Sequence, residues 1–426
     1  MIESDARPEE VMRAELLLSA GPTSPAARRP SPIDRLLAER LQRAIAPAGV
    51  ALELWDGTVP SPPTGAIGHV VVRDRGALMG LIVNPELNFG EAYMAGRLQL
   101  RGDFGGIIHA LSRLTRLSRP SMRERLALWC TPGNSLAAAR MNIHHHYDLG
   151  NDFYGLWLDP QLVYTCAYYA DPDATLDAAQ VAKLDLVCRK LRLRPGDRVV
   201  EAGCGWGALA LHMARHYGAV VKAFNISREQ IRFARERAER EGLAGRVEFI
   251  DDDYRNVTGT FDVFVSVGLL EHVGRRSHDA LAAVIRRVLR RETGRGLLHF
   301  IGRDHTRRLN AWIRRRIFPG AYPPTLAEVT SRILEPADLS VLDVENLRPH
   351  YARTLAHWRE RFEQRADSVA ALFDDRFYRA WRLYLAGSEA AFATGWLQLF
   401  QIVFAPIGSE SLDTRARVSS VSERGR

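Results

Sequence analysis

The sequence lacks the segments that mark secreted and membrane-spanning proteins. No apolar stretch is long enough to cross a bilayer, and the first residues, MIESDARPEEVMRAELLLSAG, are acidic and contain only a short apolar run. Cysteine is scarce, with four residues and no C-x-x-C pair, so neither a disulfide scaffold nor a zinc ribbon is indicated. These absences predict a cytoplasmic protein in a reducing compartment.

Lysine is nearly absent as well, and arginine supplies almost all of the positive charge. The formal net charge of +8 fits a nucleic-acid binder, a protein beside an anionic membrane, or neither. Arginine pairs and one triplet lie between positions 275 and 316. They fit a surface beside lipid headgroups and a solvated helix face equally well, so charge alone does not choose between these interpretations.

The chain is long enough for two domains, with 426 residues of which 46% are hydrophobic. Composition divides it into five segments. Residues 1–32 are rich in Pro, Ser and Ala and predict a disordered leader, and residues 409–426 predict a disordered tail. Between them we expect a small α+β domain (33–118), a linker (119–143) and a main domain (144–408).

Periodicity assigns helices and strands within these segments. In the small domain it predicts helices at 33–46, 89–100 and 107–117 and strands at 51–55 and 66–73. In the main domain it predicts strands at 198–202, 219–224, 247–250, 261–267, 296–301 and 340–347, and helices at 176–191, 208–217, 227–241, 278–291, 307–318 and over 354–404. The alternation from residue 176 onward predicts an α/β fold with a Rossmann-like, doubly wound parallel sheet. Its ligand should lie at the carboxyl ends of the strands.

A glycine-rich turn follows the first strand of the predicted sheet. The run DRVVEAGCGWG reads E-x-G-x-G-x-G, which differs from the dinucleotide pattern G-x-G-x-x-G. Gly203, Gly205 and Gly207 permit a close approach of the backbone to a ligand. The pattern resembles motif I of class I methyltransferases that use S-adenosylmethionine (SAM). A glycine-rich turn of another α/β protein would look similar, so the flanking residues have to decide.

The ends of the second and third strands carry further candidates for nucleotide binding. Asn225 follows the second strand, where this fold commonly has an acidic residue for the ribose. Gln230 fits a cofactor contact, and it fits a capping box opened by Ser227 equally well. After the third strand, a carboxylate of the run DDDYR could accept the adenine amino proton while Tyr254 stacks on the base; a solvated acidic loop is the alternative.

Three reactive side chains are expected at the same edge of the sheet. They are Cys166 in the run YTCAYY, Glu271 just after the fourth strand, and His299 in the fifth. Each has a structural explanation of its own, as a core cysteine, an ion-paired glutamate or a hydrogen-bonded core histidine. Together they favour a reaction centre.

Three consecutive histidines, His144, His145 and His146, do not predict a metal site. Neighbouring histidines rarely all face one ion, and no second cluster with zinc-like spacing follows. A polar loop near the active site is the better interpretation.

Nine segments, in order over residues 144–404, together resemble the cyclopropane-fatty-acyl-phospholipid synthase and mycolic acid cyclopropane synthase family of SAM-dependent methyltransferases. They are HHHYDLGNDFYGLWLD, YTCAYY, VEAGCGWGALA, FNISREQ, DDDYR, SVGLLEHVG, LLHFIG, WIRRRIFPGAYPPTL and YARTLAHW. The segment NFGEAYMAGRL at 88–98 is similar to the small N-terminal domain of the phospholipid-acting members, which implies that residues 33–118 associate with lipid.

The resemblance implies a set of site residues. SAM would contact Tyr164, Thr165, Gly203, Gly205, Asn225, Ile226, Gln230, Asp253 and Tyr254. A bicarbonate site would be formed by Cys166, Glu271, His299, Ile301 and Tyr351. In this family the Asn position and Gln replace the missing ribose acid. The chain departs from the family at Thr165, where Ser is usual, and at YPP after the FPG turn, where Leu-Pro-Ser is commoner.

The resemblance also implies a function. A methylene group from SAM would be added to the double bond of an unsaturated phospholipid acyl chain, with bicarbonate as the proton acceptor. The alternative is a related fatty acyl methyltransferase that gives a methyl-branched, methylene or otherwise modified product. The partner would be a bilayer with unsaturated acyl chains, reached by peripheral association with the inner face of the membrane; no nucleic acid is expected, and a homodimer is left open.

Two other classes of protein fit less well. A lipid-binding protein that has lost catalysis would not need the intact glycine turn and the complete bicarbonate set. A nucleic-acid methyltransferase is favoured only by charge, and Leu269, Leu270, Glu271 and His272 stand where its aromatic-proline motif would follow the fourth strand.

Overall fold

The computed structural model describes residues 29–116 and 149–409. The predicted linker, the histidine run at 144–146, and most of the predicted leader and tail lie outside the described residues. Helices and strands are numbered below in chain order.

The N-terminal unit contains a three-stranded sheet. Its helices in the described residues are α1 (Pro32–Ile45), α2 (Arg75–Val83), α3 (Pro85–Met94) and α4 (Phe104–Arg116), and its strands are β1 (Val50–Glu53), β2 (Gly68–Val72) and β3 (Leu98–Gly102). Strand β1 is parallel to β2, and β3 is antiparallel to β2. Helix α1 begins with a capping box between Ser31 and Asp34.

One sequence prediction for this unit is wrong, and one helix was not predicted. The helix predicted at 89–100 ends at Met94, and Leu98–Gly102 is a strand. Gly96, with φ of +71°, reverses the chain after the helix, and Leu98 then pairs with Val72. Helix α2 was not predicted, although Asp74 caps it. Its apolar run is short enough to be taken for part of the preceding strand.

The main unit is built on a seven-stranded sheet. Its strands are β4 (Arg198–Ala202), β5 (Val220–Asn225), β6 (Val247–Asp251), β7 (Val263–Val267), β8 (Arg295–Gly302), β9 (Leu339–Asn346) and β10 (Gln398–Pro406). Its helices are α5 (Asn151–Gly155), α6 (Leu176–Lys190), α7 (Ala208–Tyr217), α8 (Arg228–Arg240), α9 (Leu270–Val273), α10 (His278–Val288), α11 (Ala311–Arg316), α12 (Leu326–Val329), α13 (Arg348–Gln364), α14 (Ala366–Leu372) and α15 (Asp375–Thr394).

The strand order β6-β5-β4-β7-β8-β10-β9 confirms the predicted fold class. Strands β6, β5, β4, β7 and β8 are parallel. The chain moves from β4 to β5 and β6 on one side and then returns to β7 on the other side of β4. The glycine turn after β4 therefore lies at the point where the direction of winding changes, which is where ligands bind in open α/β sheets.

The C-terminal end contains the largest error of the sequence prediction. Helices were predicted over 354–404, but α15 ends at Thr394 and residues Gln398–Pro406 form β10. This strand inserts between β8 and β9 and is antiparallel to both. All of its residues are buried, so its sequence does not alternate between apolar and polar residues, and periodicity cannot separate such a strand from a buried helix.

The predicted basic helix at 307–318 is also shorter than expected. Only Ala311–Arg316 is α-helical, and Asn310 caps it. The guanidinium of Arg303 donates hydrogen bonds to the carbonyl oxygens of Arg307 and Arg308, at 3.4 and 2.8 Å. These contacts hold the preceding residues in a loop, because a side chain takes the carbonyl groups that a longer helix would use.

The N-terminal unit packs directly against the main unit. Gly90 of α3 lies so close to the Trp312 ring that a β-carbon there would be 2.4 Å from it. Arg316 forms a two-fold ion pair with Glu91, with N–O distances of 2.7 and 2.8 Å. Within residues 29–116 and 149–409, no helix is both long enough and apolar enough to span a bilayer.

Candidate active site

Two adjoining cavities lie at the carboxyl ends of β4, β5, β6 and β7. The larger measures about 750 Å³ including its open mouth, and the smaller about 440 Å³. They share Gly203, Asn225, Leu269 and His272 along their linings, so they form one continuous cleft. All nine predicted cofactor residues line this cleft: Tyr164, Thr165, Gly203, Gly205, Asn225, Ile226, Gln230, Asp253 and Tyr254. That they bind SAM stays a prediction, and their placement is consistent with it.

The glycine turn uses the conformational freedom of its three glycines. Gly203, Gly205 and Gly207 have φ values of +83°, +53° and +83°, in the left-handed region that favours glycine. A β-carbon on Gly207 would lie 2.6 Å from the Phe249 ring, whereas a β-carbon on Gly205 would meet no atom of the described residues within 4 Å. Gly207 is thus needed for packing, and Gly205 leaves open space for a ligand.

The side chain of Gln230 does not close a capping box. Ser227 caps α8 by accepting from the backbone N–H of Gln230, but the Gln230 side chain accepts from Asn225 Nδ2 instead, at 2.7 Å. Nε2 of Gln230 is buried and has no hydrogen-bond partner in the described structure. A buried donor without a partner is costly, so this amide favours the cofactor interpretation over the capping interpretation.

Residues 252–255, which follow β6, line part of the smaller cavity. Both carboxylate oxygens of Asp253 accept hydrogen bonds from the Arg255 guanidinium, at 2.7 and 2.8 Å. The carboxylate is therefore held in place and keeps lone pairs for another donor. Tyr254 is buried beside it, and burial raises the pKa of its hydroxyl, so the ring is a neutral surface that suits stacking.

Two charged residues of the larger cavity were missed by the sequence interpretation. Lys183 and Glu201 are both about 2% exposed and line the cavity with Thr165. Burial lowers the pKa of Lys183 and raises that of Glu201, because each charged form is disfavoured away from water. The sequence contained a signal for each of them. Lys183 is a charged residue on the apolar face of α6, beside Leu184 and Val187. Glu201 is the acidic residue of the glycine motif.

Glu271 is buried at the start of α9, next to the end of β8. Its Oε1 accepts a long hydrogen bond of 3.4 Å from the backbone N–H of Ile301, and its Oε2 is buried without a hydrogen-bond partner in the described residues. Burial raises the pKa of this carboxyl to about 7, against the opposing effect of backbone hydrogen bonds. Glu271 can therefore change its protonation state near neutral pH.

His299 lies on β8, two residues before Ile301 and on the same face of the strand. Its Nδ1 is 2.9 Å from Nε2 of Gln401 on β10. An amide nitrogen only donates, so Nδ1 accepts and Nε2 carries the proton. Nε2 is buried without a partner in the described structure, and burial, together with Lys183 and Lys190, holds the pKa of the ring well below its usual value. The imidazole ring of His299 is therefore neutral, and its Nε2–H group is a hydrogen-bond donor.

Cys166 lies beside α13, the helix that carries Tyr351. The Cys166 thiol is fully buried and donates to the carbonyl oxygen of Ala167 at 3.1 Å. Burial raises its pKa, so it is a neutral thiol and a poor nucleophile. The backbone N–H of Ala167 donates to the Thr354 hydroxyl of α13, the helix that also carries Tyr351. The structure thus brings Glu271, His299 and Ile301 together at β8, and connects Cys166 to the helix of Tyr351.

Most of the arginine clusters are engaged within the chain. Arg286 pairs with Asp338, Arg290 with Asp262, and Arg275 with Glu328. Arg287 donates to two backbone carbonyl oxygens. These contacts engage guanidinium groups within the chain, and the two interpretations of the sequence, a surface beside lipid headgroups and a solvated helix face, both stay predictions.

A family profile and individual relatives both match this chain over most of the main unit. The sequence profile of the family described as mycolic acid cyclopropane synthetase matches residues 134–402. A probable fatty acid methyltransferase of Pseudomonas putida is 39% identical over 370 residues, which cover 83% of this chain and 90% of that protein. The cyclopropane-fatty-acyl-phospholipid synthase of Escherichia coli K12 is 42% identical over 260 residues, covering 61% of this chain and 66% of that enzyme.

A solved structure extends the similarity to three dimensions. Mycolic acid cyclopropane synthase CmaA1, crystallised with SAH and CTAB, superposes with a TM-score of 0.59 at 30% sequence identity. The match covers 62% of this chain and 97% of that one.

Proposed function

The chain belongs to the mycolic acid cyclopropane synthetase family of SAM-dependent methyltransferases, and from this premise we propose that it converts an unsaturated phospholipid acyl chain into a cyclopropane fatty acyl chain. SAM supplies an electrophilic methyl group on a sulfonium centre. The alkene carbon bonds to this methyl group as the methyl–sulfur bond breaks, and the resulting cation loses a proton from the transferred methyl group as the ring closes.

The cleft fits SAM on the evidence of its own residues. The glycine turn leaves open space above Gly205, and the amide of Gln230 is a buried donor for which the described part of the chain supplies no partner. A neutral aromatic surface, Tyr254, lies at the other end of the cleft. These features suit the methionine, ribose and adenine parts of one extended ligand.

The observation that carries the proposed chemistry is a pair of polar atoms at β8 that have no hydrogen-bond partner among the described residues. Oε2 of Glu271 is an acceptor and Nε2 of His299 is a donor, and both are buried. A small oxyanion that also has a hydroxyl group matches this pair, because His299 can donate to the anionic oxygen while Glu271 accepts from the hydroxyl. We infer that bicarbonate binds here, with Cys166, Ile301 and Tyr351 completing the site, and that it supplies the proton acceptor.

An alkene is a weak nucleophile, and water would trap the cation. The site therefore has to align the reactants and exclude water. Buried aromatic rings surround Tyr164: Trp157 and Trp358 both lie 5.3 Å from it, measured between ring centroids. Such rings exclude water and stabilise positive charge through their faces.

A second candidate function has comparable support. The Pseudomonas relative, which covers most of this chain, carries the name of a probable fatty acid methyltransferase. The same methyl transfer, followed by a different final step in place of ring closure, would give a methyl-branched or methylene product. We retain this as the alternative.

We also propose that the enzyme works as a peripheral protein at the inner face of the membrane. Residues 33–118 would form a lipid-associated domain, and residues 144–408 the main domain. The direct packing of Gly90 on Trp312 and the ion pair of Glu91 with Arg316 support a fixed arrangement of the two parts. A homodimer stays a prediction.

One experiment tests the proposal. The full-length protein is incubated with SAM and vesicles of a monounsaturated phospholipid, with and without added bicarbonate, and the acyl esters are analysed by mass spectrometry and NMR. A gain of one CH2 with cyclopropyl proton signals, stimulated by bicarbonate, is expected. A vinylidene signal, or a methyl branch formed after adding a reductant, would support the alternative instead, and SAH binding without any lipid product would exclude both.

A further inference from the structure

Arg303 is a buried arginine whose guanidinium group is only partly used. It is 2% exposed, and it continues the extended backbone of β8 through a bridge to Thr325. Its Nη1 donates to the carbonyl oxygens of Arg307 and Arg308, at 3.4 and 2.8 Å. Its Nε and Nη2 are buried and have no hydrogen-bond partner among the described residues. The N–H groups on these two nitrogens therefore form an edge that lacks an acceptor there.

The charge of Arg303 is not neutralised by a carboxylate in the part of the chain that the structure describes, where Arg303 forms no ion pair. The carboxylate of Asp304 accepts from Gln398 at 2.9 Å, and Glu86 of α3 acts on Arg303 through its charge. Burial lowers the pKa of Arg303 to about 9, so the group is still protonated at neutral pH. A buried charge without a partner is costly, so an anionic ligand is expected beside it.

The surroundings of Arg303 add donors and positive charge. The guanidinium carbon of Arg303 lies 5.3 Å from the centre of the Trp396 ring, and that of Arg307 lies 4.3 Å from it. Nε1 of Trp396 is buried and has no hydrogen-bond partner within residues 29–116 and 149–409. Two guanidinium groups and an indole N–H thus meet around one ring. The Nε and Nη2 edge of an arginine can bind two oxygens of one phosphate or carboxylate, so this group of donors suits an oxyanion.

The position of Arg303 relates it to the proposed reaction centre. Side chains alternate along an extended strand, so His299, Ile301 and Arg303 lie on one face. The four residues from His299 to Arg303 span about 13 Å of strand. The ester half of an acyl chain can bridge such a distance when the double bond lies several carbons from the ester. A phospholipid whose double bond is beside His299 can therefore bring its phosphate to Arg303.

We propose that Arg303 binds the phosphate of the phospholipid substrate through its Nε and Nη2 edge, with Arg307 supplying a second positive charge. Phosphate is common to all phospholipids, so this contact recognises the class of lipid and not one headgroup. It also fixes the distance between the headgroup and the carbon atoms that react. This proposal rests on the proposed function, because it needs a phospholipid substrate, and it does not depend on which lipid product is made.

The test compares two substrates that differ in the phosphate-bearing headgroup. Phosphatidylcholine and diacylglycerol with the same monounsaturated acyl chains are each presented to the full-length chain in neutral detergent micelles with SAM. Arg303→Met is expected to raise KM for phosphatidylcholine by roughly 10- to 100-fold, the range for a charged hydrogen bond, and to change KM for diacylglycerol less than about three-fold. Phosphatidylethanolamine should respond as phosphatidylcholine does. Affinity for S-adenosylhomocysteine (SAH), measured by calorimetry, should not change.

Arg295 provides a matched control on the same strand. It lies at the opposite end of β8, donates to the carbonyl oxygens of Leu191 and Arg192, and pairs with Asp197. Arg295→Met therefore also removes a guanidinium group that holds a loop, but away from the cleft, and it should leave both KM values unchanged. Arg303→Lys keeps the charge without the paired N–H groups, so it should restore part of the affinity for phosphatidylcholine.

The outcomes separate the possibilities. An equal rise in both KM values would make Arg303 a structural residue, and an unchanged KM for phosphatidylcholine would remove it from the substrate site. Should Arg303→Met fail to fold, Arg303→Lys applies the same comparison: a loss for phosphatidylcholine alone supports the proposal, and an equal loss for both lipids overturns it. If the wild type uses phosphatidylcholine alone, a rise in that KM with unchanged SAH affinity supports the proposal.

Inorganic phosphate tests the other source of the same chemistry. If calorimetry shows that the wild type binds it, that Arg303→Met does not, and that the wild type still uses both lipids with equal KM, the site takes free phosphate and the proposal is overturned. Failure of the proposed function would look different, since neither lipid would then give any product, whereas equal use of both lipids would contradict only the role of Arg303.

Discussion

The side-chain amide of Gln401 donates a hydrogen bond to Nδ1 of His299, with 2.9 Å between the nitrogens. The two residues face each other across neighbouring antiparallel strands, and they are 102 residues apart in the chain. This contact decides which ring nitrogen of His299 carries the proton, and hence whether the ring offers a donor or an acceptor at the proposed bicarbonate site.

Replacing Gln401 tests that relationship. Gln401→Leu removes the donor to Nδ1 and should lower kcat by roughly ten-fold, in line with the loss of one buried hydrogen bond, while SAH affinity stays within two-fold. Gln401→Glu should be at least as damaging, because a carboxylate there would draw the proton to Nδ1 and leave Nε2 without one. Gln398→Leu is the control, since Gln398 lies on the same strand but donates to Asp304. Full activity of both Gln401 variants would contradict the assigned tautomer.

The carboxyl of Glu271 predicts a pH dependence of stability. Burial raises its pKa from 4.5 to about 7 in the folded chain, so the folded state favours the protonated form. The unfolded chain ionises near pH 4.5, and the penalty therefore develops as pH rises from about 4.5 to about 7 and is complete above that. Glu271→Gln should then be more stable than the wild type at pH 8, by a few kcal/mol at most, and equally stable at pH 4. Thermal unfolding at the two pH values measures the difference.

The same substitution should abolish most turnover, because a neutral amide oxygen accepts from the bicarbonate hydroxyl more weakly than a carboxylate oxygen does. In the wild type, kcat should rise with pH through about 7 as Glu271 ionises. SAH affinity should not follow that profile. Unchanged turnover in Glu271→Gln would remove this residue from the proposed site.

Glu328 is expected to behave in the opposite way to Glu271. Burial alone would raise its pKa, but hydrogen bonds from Thr325 and Tyr322 and the charge of Arg275 outweigh burial and hold the pKa below 4.5. Its contribution to stability is therefore present above pH 4.5 and is lost as pH falls through the folded-state pKa. Glu328→Gln should lower the free energy of unfolding at pH 7 by about 1–3 kcal/mol, with a smaller loss at pH 3.

The hydrogen bonds of Glu328 also connect it to the proposed reaction centre through Tyr322. The backbone N–H of Tyr322 donates to the carbonyl oxygen of Glu271 at 2.7 Å, and the Tyr322 hydroxyl donates to Glu328. A moderate fall in kcat should therefore accompany the loss of stability in Glu328→Gln. Tyr322 is the first residue of the YPP segment, where the sequence departs from the family, so the departure lies against the backbone of the proposed catalytic residue.

Two glycines of the turn should respond differently to alanine. Gly207→Ala places a β-carbon 2.6 Å from the Phe249 ring, so it should lower Tm by several degrees. In Gly205→Ala the new β-carbon meets no atom of residues 29–116 and 149–409 within 4 Å, and alanine tolerates the φ of +53° at a cost of about 1 kcal/mol. It should fold and weaken SAH binding at least ten-fold, because its methyl group enters the space for the ligand. Calorimetry with SAH and a thermal melt distinguish the two effects, and normal SAH affinity in Gly205→Ala would show that the ligand lies elsewhere.

Local sequence determined the sheet from β4 to β8 and the position of the glycine turn in it. Each of these elements is a short apolar run followed by its own turn or cap, and β4 and α7 begin and end where periodicity placed them. Because the carboxyl ends of parallel strands meet at one edge, residues such as Gly203, Asn225 and Tyr254 lie together once the order of the strands is known.

Tertiary structure alone decided the contacts made across the sheet and beneath the cleft. Strand β10 has no alternation because both of its faces are covered, so only pairing with β8 and β9 shows that it is a strand and that Gln401 reaches His299. Likewise, the sequence places Lys183 on the apolar face of a helix, but only the tertiary structure shows that it lines the cavity and donates to Thr165. Periodicity records which residues are buried, whereas the partner of each buried polar group depends on packing between segments that are distant in the chain.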